Sequence, residues 1–497
     1  MPTRPELPAY LYSATATREL DARIIAAGTP GCELMRRAAG ALWRELRRRW
    51  PDAGRLTVLC GSGNNAGDGY LVAMLARRAG WHAQVLTVAP VERLQGDAAQ
   101  AWQQAMEAGV DIQPWSGSLP HGGVLVDALL GTGLRSEVRD PYAQAIAAIN
   151  VSGLPVIAVD LPSGLNADSG AVEGVAVAAD LTVTFIALKP GLFTAQGPDL
   201  VGELCFAPLA QLPEHDIVPA LERLTLDACK LLLPERPKAA HKGMFGHLLL
   251  IGGNHGMGGA IMLAAETALR SGAGKVSVAT RSEHIAPLLA RCPEVMAHGV
   301  DDPAQLAPLL DQATALVIGP GLGQNAWAQQ LLALALERAL PRILDADALN
   351  LVAAQPITLG SQTVITPHPA EAGRLLGWPT SQVQGDRLFA VRRLAERLGC
   401  VAVLKGVGSL VADADAANLP GLCIFGNPGM ASAGMGDVLS GLVGALLAQR
   451  MNAIDAARLG VLLHALAGDR AAEQHGPLGM LAGDLTQHIR YYLNLRD

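Results

Sequence analysis

The segment with the clearest potential for chemistry is "NPGMASAGMGDVLSG", at residues 427–441. Its proline and glycines predict irregular backbone up to Asp437, where an apolar helix begins. Such a turn leaves several backbone N–H groups unpaired at the positive end of a helix, where they can hold an anion. We expect Asp437 to stay ionised there and to take a proton from a substrate hydroxyl during phosphoryl transfer. The alternative is an aspartate that only caps the helix.

Three other segments of the same half place glycines or polar side chains after candidate strands. The backbone of "LKGVGS" (404–409) can wrap a phosphate, and the glycines of "GPGLG" (319–323) let a ligand approach the main chain. "TPHPAE" (366–371) offers His368 and Glu371, although a lone loop histidine is more often packed than bound to a ligand. The sequence G-x-x-x-x-G-K-[ST] is absent from the chain, which excludes a P-loop enzyme.

The first half has its own glycine-rich segment, "VLCGSGNNAGDG", at residues 58–69. It predicts a strand, a loop that contains residues 64–68, and a helix. The spacing matches G-x-G-x-x-A, a weak signal for a dinucleotide site, but the next strand lacks the acidic residue that such a site requires. Asn64, Asn65 and Asp68 instead fill the loop with side-chain oxygens and amides.

The ends of two further candidate strands of the first half add three polar side chains: Asp127, Asp160 and Ser163. In open α/β sheets the carboxyl ends of the strands share one edge, so we expect these side chains to converge with Asn65. Oxygen ligands of this mixture suit a hard cation, and their modest charge permits a monovalent one. Alternatively, the two aspartates only cap the turns that follow the strands.

The elements that would position these residues alternate between short aliphatic runs and helical stretches. Continuous Val, Leu and Ile runs between helices predict parallel sheets covered on both faces, an α/β fold. The candidate strands are 55–61, 82–88, 124–131, 155–164 and 181–187 in the first half, and 247–253, 275–280, 315–321, 342–349, 363–369, 401–406 and 422–427 in the second. The pattern lapses near 212–225, so we predict two domains, 1–215 and 222–497.

Composition narrows the class of protein. The net charge of −7 argues against a nucleic-acid partner, because no surplus of basic residues exists to neutralise phosphates. Apolar runs break well short of the roughly 20 residues that a membrane helix needs, and the first twenty residues lack the core of a signal peptide. The seven cysteines include no C-x-x-C pair, which fits reduced thiols and a cytoplasmic protein.

These motifs, in this order, resemble the bifunctional NAD(P)H-hydrate repair enzymes. Residues 225–494 carry "HKGMFGHLLLIGGN", "GPGLG", "TPHPAE" and "NPGMASAGMGDVLSG", as in the ribokinase-like dehydratase half of that family, and residues 10–212 resemble its epimerase half. The family usually has glycine at the positions of Ala66 and Ala370, threonine at Ser409, and threonine or serine at Met435. None of these departures removes a side chain to which the resemblance assigns a reaction step.

For the first half the resemblance implies a Rossmann-like three-layer domain that interconverts the R and S epimers of NADHX or NADPHX, the dinucleotides hydrated at C6 of the nicotinamide ring. Asp160 is the implied acid/base, and Asn65, Asp127 and Ser163 are implied to bind K⁺. The residues implied to contact the hydrated dinucleotide are Asn64, Asn65, Ala66, Gly67, Asp68, Gly131, Thr132, Gly133, Leu134, Arg135, Ser136, Glu137 and Asp160.

For the second half the resemblance implies a ribokinase-like three-layer domain that dehydrates the S epimer with ADP and Mg²⁺, releasing AMP and phosphate, with Asp437 as the base. The implied contacts to the hydrated nucleotide are Ala260, Gly323, His368 and Asp437. The implied contacts to AMP are Lys405, Gly406, Val407, Gly408, Ser409 and Gly436.

The resemblance also implies a homo-oligomer that acts on small molecules, with neither nucleic acid nor membrane as a partner. The sequence leaves the choice between ADP and ATP open, and that between NADHX and NADPHX. The rival interpretation is a ribokinase-like small-molecule kinase whose first half binds a ligand without catalysis.

Overall fold

The computed structural model describes residues 7–233, 236–355 and 357–495. The chain divides into two compact units, one ending at Leu221 and the other beginning at Glu222. We call them unit 1 and unit 2.

Unit 1 is built on a seven-stranded sheet in the order β4-β3-β2-β5-β6-β7-β8, and all of its neighbouring strands are parallel. The chain leaves β2 in one direction for β3 and β4 and later returns to the other side of β2 with β5. This reversal places a crevice beyond the carboxyl ends of β2 and β5, where open α/β sheets bind ligands. The strands of unit 1 are β1 (Tyr10–Leu11), β2 (Arg55–Cys60), β3 (His82–Thr87), β4 (Asp111–Pro114), β5 (Val124–Ala128), β6 (Val156–Val159), β7 (Leu181–Phe185) and β8 (Glu203–Ala207).

Helices cover both faces of this sheet, because successive strand residues point to opposite sides. Val58 and Val126 pack with α2, α3 and α4 on one face, whereas Leu59 and Leu125 pack with α5 on the other. The helices of unit 1 are α1 (Ala14–Ala26), α2 (Gly31–Arg49), α3 (Asn64–Arg78), α4 (Gly96–Glu107), α5 (Tyr142–Val151) and α6 (Gly197–Leu200).

Unit 2 has a larger sheet, whose strands run in the order β9-β18-β17-β16-β15-β14-β13-β10-β11-β12. Only β17 is antiparallel to its neighbours. The chain reverses direction across the sheet between β10 and β13, which opens a second crevice at the carboxyl ends of the strands. The strands are β9 (Leu221–Arg223), β10 (His247–Ile251), β11 (Lys275–Thr280), β12 (Met296–Gly299), β13 (Ala315–Ile318), β14 (Arg342–Leu344), β15 (Thr363–Ile365), β16 (Val401–Leu404), β17 (Ser409–Ala412) and β18 (Gly421–Cys423).

The apolar helix α16 lies on one face of this sheet together with α8, α17 and α18, and their aliphatic side chains form one core. The helices of unit 2 are α7 (Leu226–Lys230), α8 (Gly258–Arg270), α9 (Ile285–Arg291), α10 (Ala307–Leu310), α11 (Ala326–Leu336), α12 (Asp347–Ala353), α13 (Pro369–Leu376), α14 (Thr380–Gly385), α15 (Arg387–Leu398), α16 (Met435–Ala448), α17 (Ala453–His475) and α18 (Leu485–Leu493).

Two predicted loop boundaries were wrong. Residues 64–68 form the first turn of α3 rather than a loop, and α16 begins at Met435, before Asp437. In both cases a glycine lies inside the first helical turn, where the surroundings leave little room for a side chain. A Cβ atom at Gly67 would lie 2.6 Å from Met35 Sδ, and one at Gly436 would lie 3.2 Å from Lys405 Nζ.

Candidate active sites

A cavity of about 660 Å³ lies in unit 1 beyond the carboxyl ends of β2, β5 and β6. Most of the residues predicted for the first site line it: Asn64, Asn65, Asp68, Gly131, Thr132, Gly133, Leu134, Arg135, Ser136 and Asp160. Ala66 and Gly67 are buried in α3 and Glu137 is exposed to solvent, and none of these three residues lines the cavity. Thr17, Arg18 and Asp21, on α1, line the cavity as well, although the sequence did not single them out.

Asp160 follows β6 with a positive φ of 67°, a left-handed backbone conformation that is rare outside glycine. The Lys189 ammonium donates a hydrogen bond to Asp160 Oδ1, as do Thr184 Oγ1 and the backbone N–H of Phe185, both at 3.1 Å. The side chain of Lys189 is only 1% exposed, and its remaining donors meet Thr184 Oγ1 and the carbonyl oxygen of Phe185. The structure therefore fixes a carboxylate and an ammonium together in the wall of the cavity.

Other carboxyl groups share this cavity. The pKa of Asp68 is raised well above its usual value by burial and then by the charges of Asp160 and Asp21. Burial, followed by the charges of Asp97 and Asp160, also raises the pKa of Asp21. A carboxyl group with a raised pKa keeps its proton to higher pH, so the cavity offers a proton donor beside the Asp160–Lys189 pair.

The proposed cation ligands of unit 1 converge behind the cavity. The fully buried Asp127 accepts hydrogen bonds from Ser163 Oγ at 2.6 Å and Ser163 N at 2.7 Å. Ser163 Oγ also lies 3.1 Å from the carbonyl oxygen of Leu130, to which Asn65 Nδ2 donates at 3.2 Å. Burial raises the pKa of Asp127 to about 6, against the hydrogen bonds from Ser163 and Leu129 that lower it.

This donor set fits a monovalent cation better than a transition metal. Within the described ranges, no three His, Cys, Asp or Glu side chains are grouped so that they could hold a metal ion. A cation beside Asp127 would therefore rely on one carboxylate together with the neutral oxygens of Asn65, Ser163 and the Leu130 carbonyl. One negative charge among neutral oxygens is enough for K⁺ and too little for most divalent ions.

In unit 2, a buried ion pair lies at the carboxyl ends of β14 and β16. Asp345, whose side chain is 2% exposed, accepts hydrogen bonds from Lys405 Nζ at 2.9 Å and from Ser440 Oγ at 2.8 Å. Burial opposes the charge on Asp345, but Lys405 outweighs it and holds the pKa of this carboxyl below its usual value. Burial likewise opposes the charge on Lys405, yet Asp345 and Glu371 keep its pKa above the ordinary lysine value.

Asp437 lies in the first turn of α16, next to this pair, and is half-buried. Our expectation that it simply stays ionised was wrong. Burial, followed by the negative charge of Asp345, raises the pKa of Asp437 to about 7, against the opposing effect of Lys405. Gly434 precedes this turn with a φ of 90°, which lets the chain enter the helix abruptly. A carboxyl group with a pKa near 7 is matched to accepting a proton at neutral pH.

The turn 405–409 accepts hydrogen bonds from an arginine that the sequence did not single out. Arg387, 1% exposed, donates to the carbonyl oxygens of Leu404, Lys405 and Gly408 at 3.1–3.4 Å. Gly406 and Gly408 have φ values of 125° and 66°, and Ser409 Oγ bonds to the carbonyl oxygen of Gly406. The turn therefore directs its carbonyl groups towards Arg387, while Val407 is exposed.

The remaining predicted residues of the second site lie in two places. Gly323 N donates to Asp347 Oδ2 at 2.8 Å, and Ala260 on α8 lies next to the same 319–323 loop. His368 caps α13 by accepting hydrogen bonds from the backbone N–H groups of Ala370 and Glu371, and its side chain is 48% exposed rather than packed. Its Nε2 remains directed towards Glu371 Oε1 at 3.4 Å, and Glu371 Oε2 lies 4.0 Å from Lys405 Nζ.

Comparison with known protein families matches both units. A family model described as NAD(P)H-hydrate dehydratase matches residues 248–490, and one described as YjeF-related protein N-terminus matches residues 31–191. The "Bifunctional NAD(P)H-hydrate repair enzyme" of Coxiella burnetii is 47% identical over 97% of this chain and 99% of its own length. The protein of the same description from Escherichia coli is 44% identical over 93% of this chain and 89% of its own length.

Solved structures give the fold of the second unit. A ribokinase-like superfamily protein from Enterococcus faecalis is 33% identical, with a TM-score of 0.52, over 56% of this chain and 98% of its own. An ADP/ATP-dependent NAD(P)H-hydrate dehydratase from Bacillus subtilis, crystallised with ATP and Mg²⁺, is 30% identical, with a TM-score of 0.51, over 55% of this chain and 97% of its own. The predicted α/β class with a ribokinase-like domain is confirmed.

Proposed function

The chain belongs to the family of bifunctional NAD(P)H-hydrate repair enzymes, and we propose that it epimerises R- and S-NAD(P)HX in unit 1 and dehydrates S-NAD(P)HX in unit 2 with ADP. The observation that supports this best is the position of Asp437, in the first turn of α16 beside the Asp345–Lys405 pair. Phosphoryl transfer requires a base, a positive charge and N–H groups that can bind the phosphoryl oxygens. Asp437, Lys405 and the N–H groups of the first turn of α16 can supply them.

Epimerisation needs an acid/base beside C6 of the hydrated ring. The C6–O bond breaks as the departing oxygen takes a proton, with the ring nitrogen supplying electrons. Water then adds to the opposite face and loses a proton. We assign these proton transfers to Asp160, which lines the cavity and is held by Lys189 and Thr184. Asn64, Asn65 and the 131–136 segment form the surrounding wall and would bind the rest of the dinucleotide.

Dehydration requires a better leaving group than hydroxide. The C6 hydroxyl oxygen bonds to the β-phosphorus of ADP, its proton passes to Asp437, and the bond from that phosphorus to the bridging oxygen breaks, releasing AMP. The ring nitrogen then expels phosphate, and loss of the C5 proton gives NAD(P)H. The N–H groups of the first turn of α16 stabilise the transferring phosphoryl group. The 405–409 turn and Gly436 would hold AMP, and Ala260, Gly323 and His368 would face the hydrated nucleotide.

Two cations belong to this proposal. Mg²⁺ would accompany ADP and neutralise charge on its phosphates; the Bacillus subtilis dehydratase crystallised with ATP and Mg²⁺ supports this. K⁺ would neutralise the buried Asp127 carboxylate and fix the Leu130 carbonyl with Asn65 and Ser163. The support for K⁺ is the oxygen donor set and the elevated pKa of Asp127, about 6.

We further propose that the protein works in the cytoplasm as a homo-oligomer. All seven cysteines are free, as expected in a reducing compartment. No helix among the described residues is long and apolar enough to cross a membrane. The support for an oligomer is the family alone.

The test is incubation of the purified protein with mixed NADHX epimers, with and without ADP, ATP, Mg²⁺ and K⁺. We expect NADH absorbance to return with ADP and Mg²⁺, until both epimers are consumed. A phosphorylated product that accumulates without recovery of NADH would instead identify a small-molecule kinase. Recovery that stops when the S epimer is exhausted would contradict the epimerase assignment alone.

A further inference from the structure

A buried carboxylate joins α16 to the turn that follows β16. Asp345 binds Lys405 through one carboxylate oxygen, at 2.9 Å, and Ser440 through the other, at 2.8 Å. Ser440 belongs to α16 and is fully buried. The carboxylate is therefore fixed by two different elements, and its side chain is only 2% exposed, unlike that of a surface ion pair.

The Lys405 ammonium is held against the first turn of α16. A Cβ atom at Gly436 would lie 3.2 Å from Lys405 Nζ and 3.5 Å from Asp345 Oδ2, so the ammonium lies close to the helix backbone at a glycine. Glu371 Oε2 lies 4.0 Å from Nζ on another side, and it also accepts the backbone N–H of His368 at 2.8 Å. A lysine side chain is long and flexible, so these contacts decide where its charge stands.

We propose that Asp345 is a positioning residue for phosphoryl transfer: it holds the Lys405 ammonium where that ammonium and the N–H groups of α16 meet the same phosphoryl oxygens. This inference rests on the proposed ADP-dependent dehydration and adds a role for a residue outside the substrate contacts. The β-phosphorus moves from the bridging oxygen of ADP to the C6 hydroxyl oxygen, and the hydroxyl proton goes to Asp437. Lys405 keeps its protons and supplies charge alone.

The same carboxylate acts on the base. Burial and then the charge of Asp345 raise the pKa of Asp437 to about 7, whereas Lys405 lowers it. Glu371, from α13, adds negative charge 4.0 Å from Lys405 Nζ. From α17, His464 contacts a backbone carbonyl of α16, and burial lowers its pKa to about 4, so it is neutral at neutral pH. Removing the charge of Asp345 should therefore lower the pKa of Asp437.

The central variant is Asp345→Asn in the full chain. We expect dehydration kcat to fall roughly 10²-fold, since a misplaced catalytic group costs about that much. The KM for ADP should change far less, because the contacts of residues 406–409 to AMP do not depend on Asp345. The acidic limb of the kcat–pH profile should move to lower pH. A carboxylate with only a structural role would lower the unfolding temperature without moving that limb.

A double-mutant cycle with Lys405→Gln tests whether Asp345 acts through Lys405. We expect the double variant to be no slower than Lys405→Gln alone. A milder probe is Ser440→Ala, which removes one hydrogen bond and no charge. It should lower kcat roughly fivefold in the wild-type background, leave the pH limb in place, and have no effect in the Lys405→Gln background. This second cycle decides the question if Asp345→Asn fails to fold.

Independent, fully additive losses in both cycles would overturn the inference, as would an unchanged pH limb in folded Asp345→Asn. Absence of ADP-dependent dehydration in the wild-type chain would contradict the proposed function itself, and this inference with it. If the wild-type chain dehydrates its substrate with ADP and the variants are equally active, only the inference is contradicted.

Discussion

The Lys189 ammonium and the Asp160 carboxylate form an ion pair in the wall of the unit 1 cavity, and the lysine side chain is almost completely buried. Four further contacts define the geometry of the pair. Lys189 also donates to Thr184 Oγ1 and to the carbonyl oxygen of Phe185, and Thr184 Oγ1 and the Phe185 N–H donate to Asp160. A buried charge needs its partner, so each member of the pair constrains the other.

The first prediction concerns Lys189→Met. Because it leaves a carboxylate in the cavity wall without its cation, we expect the free energy of unfolding to fall by about 3–5 kcal/mol. Urea denaturation, monitored by circular dichroism, measures this change in the free energy of unfolding. The matched control is Arg23→Gln on α1, which breaks an exposed pair with Asp216 and should cost at most about 1 kcal/mol. Equal losses in the two variants would show that the Lys189–Asp160 pair contributes no more than a surface contact.

The second prediction separates the two activities through Asp160→Asn. The amide oxygen can still accept from Lys189 and Thr184, but the side chain can no longer exchange a proton. Epimerisation should fall by about 10²–10⁴-fold, while ADP-dependent dehydration of the S epimer continues. Chromatography of the residual substrate should then show the R epimer left over. Complete consumption of both epimers at the wild-type rate would transfer the acid/base role to another group, with Asp68 the next candidate in the cavity.

The third prediction concerns K⁺ and pH in unit 1. The pKa of Asp127 is raised to about 6, and a cation binds only the ionised carboxylate, so protons compete with K⁺ below that pH. The K⁺ concentration needed for half-maximal epimerisation should therefore rise as pH falls through about 6 and stay flat above it. Asp127→Ala should abolish the K⁺ response. Equal rates in K⁺-free and K⁺-containing buffer at every pH would remove the cation from the proposal.

The fourth prediction is that the two halves fold and work separately. Each unit has its own sheet and its own hydrophobic core. A fragment ending at residue 215 should epimerise. One beginning at residue 222 keeps both β9 residues that pair with β18, Glu222 and Arg223, and should dehydrate only the S form. Insolubility of both fragments, with a soluble full chain, would show that the boundary lies elsewhere or that the halves need each other.

The sequence predicted most of the strands that are buried in the two sheets, and it missed edge strands and one buried interior strand, β17. Every candidate strand is present, because a continuous aliphatic run between helices is typical of a strand that is buried on both faces of a sheet. Three of the missed strands, β4, β8 and β12, lie at or near the edge of a sheet and carry mostly exposed or half-buried residues. Half-buried edge strands need no apolar run, so the composition of these segments resembles that of loops.

The sequence predicted the site residues that belong to a local motif. It did not predict those whose role depends on a contact with a residue far away in the chain. Lys189 had one available signal: it is the first lysine in the chain and stands in the apolar segment "TFIALKPGLF". Its pairing with Asp160 depends on how β6 and β7 lie side by side. Arg387 and Asp345 gave no comparable signal, because the carbonyl groups that Arg387 holds lie 17 to 21 residues along the chain and Lys405 lies 60 residues from Asp345. The elevated pKa of Asp437 likewise arises from burial and then from the charge of Asp345, and only the fold produces both.

The last prediction is that Asp437 is the base of dehydration and titrates near neutrality. Its pKa is raised to about 7, and only the ionised form accepts the hydroxyl proton, so kcat for dehydration should fall as pH drops through about 7. Asp437→Asn keeps the shape of the side chain and an oxygen for the helix, and should lower kcat by about 10²–10⁴-fold at every pH.

The Asn variant should also lose the acidic limb of the profile while retaining ADP binding, which isothermal titration calorimetry can measure. Epimerisation by the same preparation should remain unchanged, because Asp437 lies in the other unit. If the side chain were only a helix cap, the Asn variant would keep most of its activity and lose at most a little stability, since asparagine caps helices as well as aspartate does. Near-normal dehydration by Asp437→Asn would therefore leave the phosphoryl transfer without its base.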